Sequence, residues 1–251
     1  MNSARIFIAE AVGTFIVVTF AVGAAAIPAL PIGALGIAVA SGLGLLLAYA
    51  LLGGTSGGHF NPAVSAGMAF AKRIDLPAML IYWGGQLVGA VAAVFGVLAI
   101  ARGNAAGFDA EIHNFGANAF GHDTGFYSFA AVAVAEVVFS AILVLAYLCL
   151  RSNGVTASVG AIPLGAAYAA TQLLTHSVDG GAANPAKSIA TALLVRGDAL
   201  SSLWLFVVFP LVGSLVGVLA WVAVDDATLE DTFFDELGLD DARDALQGAV
   251  D

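Results

Sequence analysis

Two stretches of this chain share one pattern, Gly57-Gly58-His59-Phe60-Asn61-Pro62-Ala63 and Gly180-Gly181-Ala182-Ala183-Asn184-Pro185-Ala186. In each stretch a glycine pair precedes an Asn-Pro-Ala tripeptide, and the two tripeptides begin 123 residues apart. Asn suits the N-cap of a helix and Pro its first position, so each tripeptide predicts a helix start. Glycine lets the preceding backbone approach another group closely. Each copy therefore predicts an irregular polar segment leading into a short helix, over about 62–71 and 185–195.

The composition places these short helices in a membrane protein. Of the 251 residues, 60% are hydrophobic and only 10% are charged, whereas a soluble domain carries about 25% charged residues. Glu10 lies in the first apolar stretch, which has no basic leader with a small-residue cleavage site, so we interpret it as a retained helix. Six stretches are long enough to cross about 30 Å of hydrocarbon: 6–27, 32–53, 77–101, 127–150, 155–178 and 200–224.

The two halves of the chain repeat each other. Ala9-Glu10-Ala11-Val12 in the first span is matched by Ala135-Glu136-Val137-Val138 in the fourth, at an offset of 126 residues. Each half, about 5–101 and 127–224, holds three spans and one half-helix. Because three crossings are an odd number, the second half enters the membrane from the opposite side. This predicts an all-α inverted repeat whose two re-entrant half-helices meet by their N-termini at a polar site near the midplane.

The net charge of −10 is concentrated at the C-terminus. Residues 225–251 carry ten acidic residues and one basic residue, Arg243, which makes −9 of that total. We therefore separate a membrane domain, 1–224, from an acidic tail, which we expect to be largely solvated, although a short docked helix is the alternative. The charge indicates no nucleic-acid partner.

Basic residues in the short loops predict the orientation. One side carries Arg5, Lys72, Arg73 and Arg151, whereas the other carries Arg102 and Arg196. Since basic loops stay inside, both termini are expected to be cytoplasmic in a multi-pass protein of the cell (plasma or inner) membrane. The one cysteine, Cys149, excludes an internal disulfide.

With six spans, two Asn-Pro-Ala half-helices and a glutamate in spans one and four, residues 5–224 resemble the major intrinsic protein family, the aquaporins and glycerol facilitators. The chain looks most like bacterial water channels of the aquaporin Z type, in the run from Gly57 to Val64, in Gly107-Phe108-Asp109 and in Leu203-Trp204 to Pro210. The resemblance implies a six-helix bundle with one pore per subunit, and a homotetramer in the lipid bilayer.

The paired tripeptides, Asn61-Pro62-Ala63 and Asn184-Pro185-Ala186, are the first candidate site. An Asn amide oxygen can cap a half-helix while its NH₂ donates to water. Two donors and two positive helix ends at one point would orient water and exclude protons and cations. Backbone carbonyls would line the rest of the path, those of Gly57, Gly58, His59 and Phe60 on the inner half and Gly180, Gly181, Ala182 and Ala183 on the outer half. The alternative is that both Asn side chains only cap buried helix ends.

The resemblance also assigns two further sets of residues. Glu10 and Glu136 would accept hydrogen bonds from the half-helix loops, with a proton relay as the alternative. The selectivity filter would be Ser41, Gln172, Gly181 and Lys187. Water-specific members have Phe, His, a small residue and Arg at these positions, so we expect a wider, more flexible opening here, unless Phe115 or Tyr168 fills the gap. His59 is either a structural lining residue or a proton-sensitive gate.

These observations predict a passive channel for water and small neutral solutes, with no catalysis and no cofactor. The alternative within the family is a glycerol, urea or ammonia facilitator. A secondary transporter would need ionisable groups along the midplane path, an intramembrane enzyme would need a nucleophile–base pair or metal ligands, and a membrane adhesion protein would use the bundle as a scaffold. His113 and the pair His122-Asp123 have irregular spacing, so we expect no metal site.

Overall fold

A computed structural model describes residues 2–27, 32–104, 108–109, 114–121, 124, 126–181 and 183–235. Within these ranges the chain is helical, without strands. The nine α-helices are α1 Ser3–Ala26, α2 Gly33–Ser56, α3 Pro62–Phe70, α4 Leu76–Arg102, α5 Phe129–Ser152, α6 Ala157–Asp179, α7 Pro185–Val195, α8 Gly197–Ser202 and α9 Leu205–Val224.

Six helical segments are long and apolar enough to cross a membrane. They are α1, α2, α4, α5, α6 and the combined segment Gly197–Val224, which holds α8 and α9. Their ends lie within three residues of the predicted spans. The side chains that point away from the bundle are large and apolar, such as Leu51, Leu80, Ile162 and Val216. The prediction of an all-α membrane protein is confirmed.

The two half-helices, α3 and α7, begin at the predicted prolines. Asn61 is the N-cap of α3, and its side-chain oxygen accepts the backbone N–H of Ala63 at 2.9 Å. Asn184 is the N-cap of α7, and its oxygen accepts the N–H of Ala186 at 3.1 Å. The two helices contact each other; α3 is almost entirely buried within the bundle of long helices, and α7 is buried mainly over its first turns.

Glycines set the spacing of the long helices in both halves. A Cβ on Gly89 in α4 would lie 2.1 Å from the carbonyl oxygen of Ala11 in α1. In the second half, a Cβ on Gly213 in α9 would lie 2.5 Å from the carbonyl oxygen of Val137 in α5. Small residues at helix contacts are the usual device for close packing in membranes. The pairs α1–α4 and α5–α9 thus repeat one packing arrangement, and α2 packs on α6 between them.

The acidic tail does not leave the bundle directly after α9. Residues 229–231 form a single 3-10 turn, and the chain then packs on the C-terminal end of α3. Thr232 is fully buried and Phe234 is 9% exposed. This corrects the expectation of a solvated tail for residues 225–235; residues 236–251 lie outside the described part of the chain.

Candidate functional site: the junction of the two half-helices

The side-chain amides of Asn61 and Asn184 connect the two half-helices. Asn61 Nδ2 donates to the carbonyl oxygen of Ala183 at 2.7 Å, and Asn184 Nδ2 donates to the carbonyl oxygen of Phe60 at 3.0 Å. Each acceptor is the residue directly before the opposite asparagine, so the contact follows the symmetry of the repeat. Each amide therefore uses one of its two N–H groups inside the protein. The prediction that the whole NH₂ is free for water is therefore wrong for one N–H of each amide.

Phe60 and Ala183 adopt the same strained backbone. Their φ angles are 50° and 58°, in the left-handed region that costs a side-chain-bearing residue about 1–3 kcal/mol. The strain is offset on both sides of each residue. The N–H of Phe60 donates to Glu10 Oε2 at 2.7 Å, the N–H of Ala183 donates to Glu136 Oε2 at 3.1 Å, and both carbonyls accept the asparagine amides. The sharp turn aims each asparagine at the opposite half.

Glu10 is the acceptor for a whole loop. Its carboxylate is fully buried and accepts the backbone N–H groups of Phe60 and of His59, the latter at 3.1 Å. It also accepts hydrogen bonds from the Ser56 hydroxyl at 2.6 Å and from the Gln86 side-chain amide at 2.7 Å. Four donors satisfy a charged group that would otherwise be very costly within the membrane. The geometry is that of a support for the loop before α3.

The second repeat carries one more acidic residue than the first. Glu136 accepts the N–H of Ala183, and its carboxyl shares a side-chain hydrogen bond with that of Asp179. Asp179 ends α6, is fully buried and accepts the N–H of Gly181 at 2.9 Å. Both carboxyls interact with the ammonium of Lys187. The half of the site at α7 is thus a cluster of buried ionisable groups, whereas the half at α3 holds one glutamate and neutral donors.

His59 is held by its neighbours. Its ring stacks on that of Tyr82 with 4.3 Å between the ring centres, and its Nδ1 lies 3.1 Å from Ser65 Oγ. The side chain is 4% exposed, and Ser65 also accepts the amide of Gln86 at 2.8 Å. This environment fits the alternative of a structural lining residue better than a side chain that moves as a gate.

The backbone at both glycine pairs adopts a left-handed conformation that favours glycine. The four φ angles lie between 68° and 96°, and side chains would clash: a Cβ on Gly58 would lie 2.6 Å from the Tyr49 ring, and one on Gly180 would lie 2.5 Å from the Ala117 carbonyl oxygen. Tyr147 donates to the carbonyl oxygen of Gly58 at 2.9 Å. Several predicted lining carbonyls therefore already accept one protein donor, and each has a second lone pair for water. Ala182 lies outside the described residues.

Three of the four predicted filter residues lie together. The side-chain oxygen of Gln172 would be 2.4 Å from a Cβ on Gly181, and Lys187 Nζ donates to the Gly181 carbonyl oxygen at 2.7 Å. The fourth, Ser41, lies buried on α2, where its hydroxyl donates to the carbonyl oxygen of Ile37 at 2.8 Å. Gly181 leaves room that the Gln172 amide occupies.

The structure corrects one expectation about this filter. The predicted flexible opening is wrong for Lys187, because its side chain is 2% exposed. Its ammonium also donates to Asn118 Oδ1 at 3.1 Å and to the Gly180 carbonyl oxygen at 3.4 Å. The rings of Phe115 and Tyr168, considered as fillers, both pack into apolar clusters of the core.

Asn118 is the site residue that the sequence analysis missed. Its Oδ1 accepts both Lys187 Nζ and the Ser188 hydroxyl, at 3.1 and 2.9 Å, and its Nδ2 donates to the carbonyl oxygen of Asp179 at 3.1 Å. The residue thus links the end of α6 to the first turn of α7. It lies on the loop before α5, 69 residues from Lys187, and no local pattern marks it. His113, His122 and Asp123, considered for a metal, lie outside the described residues.

Known proteins share this sequence and this fold. The profile of the family "Major intrinsic protein" matches residues 1–221. Aquaporin Z of Brucella melitensis biotype 1 is 40% identical over 219 residues, which are 85% of this chain and 94% of the relative. Aquaporin Z of Photorhabdus laumondii subsp. laumondii is 35% identical over 214 residues, 83% of this chain and 92% of the relative.

A solved structure gives the same fold. The X-ray structure of the aquaglyceroporin from Plasmodium falciparum has a TM-score of 0.72 and 21% sequence identity, and the match covers 89% of this chain and 97% of that one. At this identity the likeness concerns the fold alone. The family profile and the two relatives together cover the six spans and both half-helices, so the chain belongs to the major intrinsic protein family.

Proposed function

We propose that this protein is a passive membrane channel that conducts water and small neutral solutes and excludes protons and ions. The observation that carries the proposal is the junction, where Asn61 and Asn184 cap two opposed half-helices and bind each other's loop. The two relatives named for water channels support the same function. Transport in this scheme involves no catalysis and no cofactor.

The junction supplies donors at one point of the path. After each asparagine has donated one N–H to the opposite loop, its second N–H can donate to the oxygen of a passing water. A water that accepts from both asparagines has its own hydrogens turned toward the carbonyls on either side. It therefore cannot receive a proton from the next water in the file, and the positive ends of α3 and α7 repel cations.

The outer opening sets which solutes pass. Gln172 and the carbonyl of Gly181 offer polar groups, and the ammonium of Lys187 is buried and bound to loop carbonyls and Asn118. No aromatic side chain occupies any of the four filter positions. We therefore expect urea or glycerol to pass at a measurable rate alongside water. A pore of glycerol-facilitator type remains the alternative, and the aquaglyceroporin fold is compatible with both.

Osmotic experiments on proteoliposomes test this proposal. Water flux is measured by light scattering after a step in an impermeant osmolyte, and solute flux after a step in urea or glycerol. The double variant Ser41→Phe with Lys187→Arg should suppress solute flux and spare water, because an aromatic ring and a planar guanidinium narrow the opening. Exclusion of both solutes by the native protein would contradict this assignment of the filter.

We further propose a homotetramer with both termini in the cytoplasm of a cell membrane. The broad apolar faces of the spanning helices and the family relationship support assembly in the bilayer. Arg5, Lys72, Arg73 and Arg151 all flank the side at which α1 begins and α3 ends, which supports the orientation. Chemical cross-linking in vesicles and protease access to the tail test the two statements separately.

A further inference from the structure

The C-terminal segment 225–235 completes the hydrogen bonding of the half-helix α3. The last four carbonyls of a helix lack partners within it. In α3 three of them, on Gly67, Met68 and Ala69, accept backbone N–H groups of the following turn at 2.8–3.0 Å. The fourth, on Phe70, accepts the N–H of Phe233 at 2.7 Å. The chain 163 residues further on thus supplies the donor that the local turn does not.

Side chains hold this contact from both sides. The rings of Phe70 and Phe233 lie 6.2 Å apart, and Phe234 is buried in the apolar cluster that also contains Ala71 and Trp221. Lys72 Nζ donates to the carbonyl oxygen of Glu230 at 3.2 Å and pairs with Asp235 at 3.4 Å. The ion pair is partly exposed and contributes little alone, so the buried rings and the backbone bond carry the docking.

The same segment is anchored at its start. Trp221 Nε1 donates to Asp225 Oδ2 at 2.7 Å, and the Arg73 guanidinium lies over the Trp221 ring at 5.0 Å. A 3-10 turn then reverses the chain, with Asp231 accepting the N–H of Thr228 at 2.9 Å. The path from α9 back to α3 is therefore fixed at both ends.

The half-helix that receives this contact is short. It has nine residues, a length at which a helix has little stability of its own, so tertiary contacts fix its position. Its N-terminal end carries Asn61 and is tied to α9 by the Ser214 hydroxyl, which donates to the Ala63 carbonyl oxygen at 2.6 Å. The other half-helix, α7, is followed by α8 after one residue, Arg196, whereas residues 71–75 separate α3 from α4.

We propose that residues 225–235 are a positioning clasp, which fixes α3 along its axis and so keeps Asn61 in register with Asn184. The inference rests on the proposed channel function, and it gives the start of the acidic tail a role in aligning the two asparagines of the pore. Phe233 and Phe234 are the positioning residues. Without them, α3 shifts toward its open end, the two asparagines lose alignment, and water at the junction is no longer held by two donors.

The test compares two full-length variants in proteoliposomes. Phe233→Ala with Phe234→Ala removes both rings, and Glu230→Ala is the matched control, because this exposed side chain lies on the same segment and only its backbone binds Lys72. We expect the double variant to raise the ratio of proton permeability to water permeability, and the control to leave it unchanged. After the permeabilities of empty vesicles are subtracted, this ratio does not depend on the amount of folded protein. An unchanged ratio in a folded double variant would overturn the proposal.

Hydrogen exchange on the native protein keeps the proposal testable if the double variant does not fold. The amides of the last turn of α3 and those of residues 232–234 should exchange together, because they open as one unit. Exchange of residues 232–234 much faster than that of α3 would show that the tail detaches without effect, and would overturn the clasp. Since exchange requires no transport, this result is distinguishable from a failure of the channel function, which native water flux tests.

Discussion

At the scale of single residues, the two halves of the site are supported unequally. Glu10 accepts four donors, whereas Glu136 accepts one backbone N–H and shares its surroundings with Asp179 and Lys187. A glutamate in spans one and four was predictable from the repeat. The group of ionisable residues around Glu136 was not predictable, because the local sequence marks Asp179 only as the end of a helix.

This inequality predicts different costs for removing the two carboxylates. Glu10→Ala leaves the N–H groups of His59 and Phe60 without an acceptor, at about 1–3 kcal/mol for each buried donor, whereas Glu136→Ala leaves only that of Ala183. Thermal unfolding in detergent should show the larger loss for Glu10→Ala. Normal folding with loss of flux alone in either variant would argue for a direct role in transport.

Asn118 gives a second prediction at this scale. Asn118→Ala removes an acceptor of the Lys187 ammonium and a donor to the end of α6. A buried ammonium that loses a partner moves toward water, which here lies in the lumen. Urea or glycerol flux should therefore fall more than water flux. Asn114→Ala, on the same loop but bonded to the Ala117 carbonyl oxygen, is the control; equal effects of the two variants would count against the assignment.

At the scale of helices, sequence pattern was sufficient for the spans and for the starts of α3 and α7. Asn-Pro is a local signal, since the cap and the first helical position are neighbours. The left-handed turns at Phe60 and Ala183 and the docking of Phe233 on Phe70 were not predictable. They depend on partners that are distant in the chain: Glu10 and Glu136 for the two turns, and residues 163 positions apart for the docking.

Helix packing predicts opposite outcomes for two glycines of α4. Gly89→Ala places a Cβ 2.1 Å from the Ala11 carbonyl oxygen and forces α1 and α4 apart, at about 1–3 kcal/mol. Gly96→Ala meets only the Phe15 ring at 3.9 Å and should be neutral or slightly stabilising. Thermal midpoints in detergent compare them, and equal midpoints would refute the packing argument.

At the scale of the whole molecule, two acidic residues fix the start of the tail, and their pKa values are lowered. The pKa of Asp225 is lowered chiefly by the Trp221 indole N–H, and that of Asp231 by the backbone N–H of Thr228. A carboxyl with a lowered pKa stabilises the folded form above its unfolded pKa and loses this effect as pH falls through the folded pKa.

The tail should therefore stay docked from neutral pH down to the ordinary titration range of aspartate, near about pH 4, and loosen only below it. Hydrogen exchange of residues 232–234, corrected for the intrinsic effect of pH, measures this. Loss of protection already between about pH 7 and 6 would show that other groups control docking.

The opposed half-helices predict how one substitution changes ion exclusion. Asn184→Asp places a carboxylate where the positive ends of α3 and α7 meet and offsets them. Proton and cation leak should rise above that of the native protein. Asn153→Asp, on an exposed loop outside the spans, is the control for an added charge.

The most direct test of the paired asparagines is simultaneous measurement of water and proton flux on native protein in sealed vesicles. Light scattering reports osmotic shrinkage, and an entrapped pH-sensitive dye reports protons under an imposed gradient. We expect rapid water flux with a low activation energy and proton flux no higher than in empty vesicles. Proton flux that grows with the amount of protein would contradict it, because two donors at opposed helix ends should break the proton path.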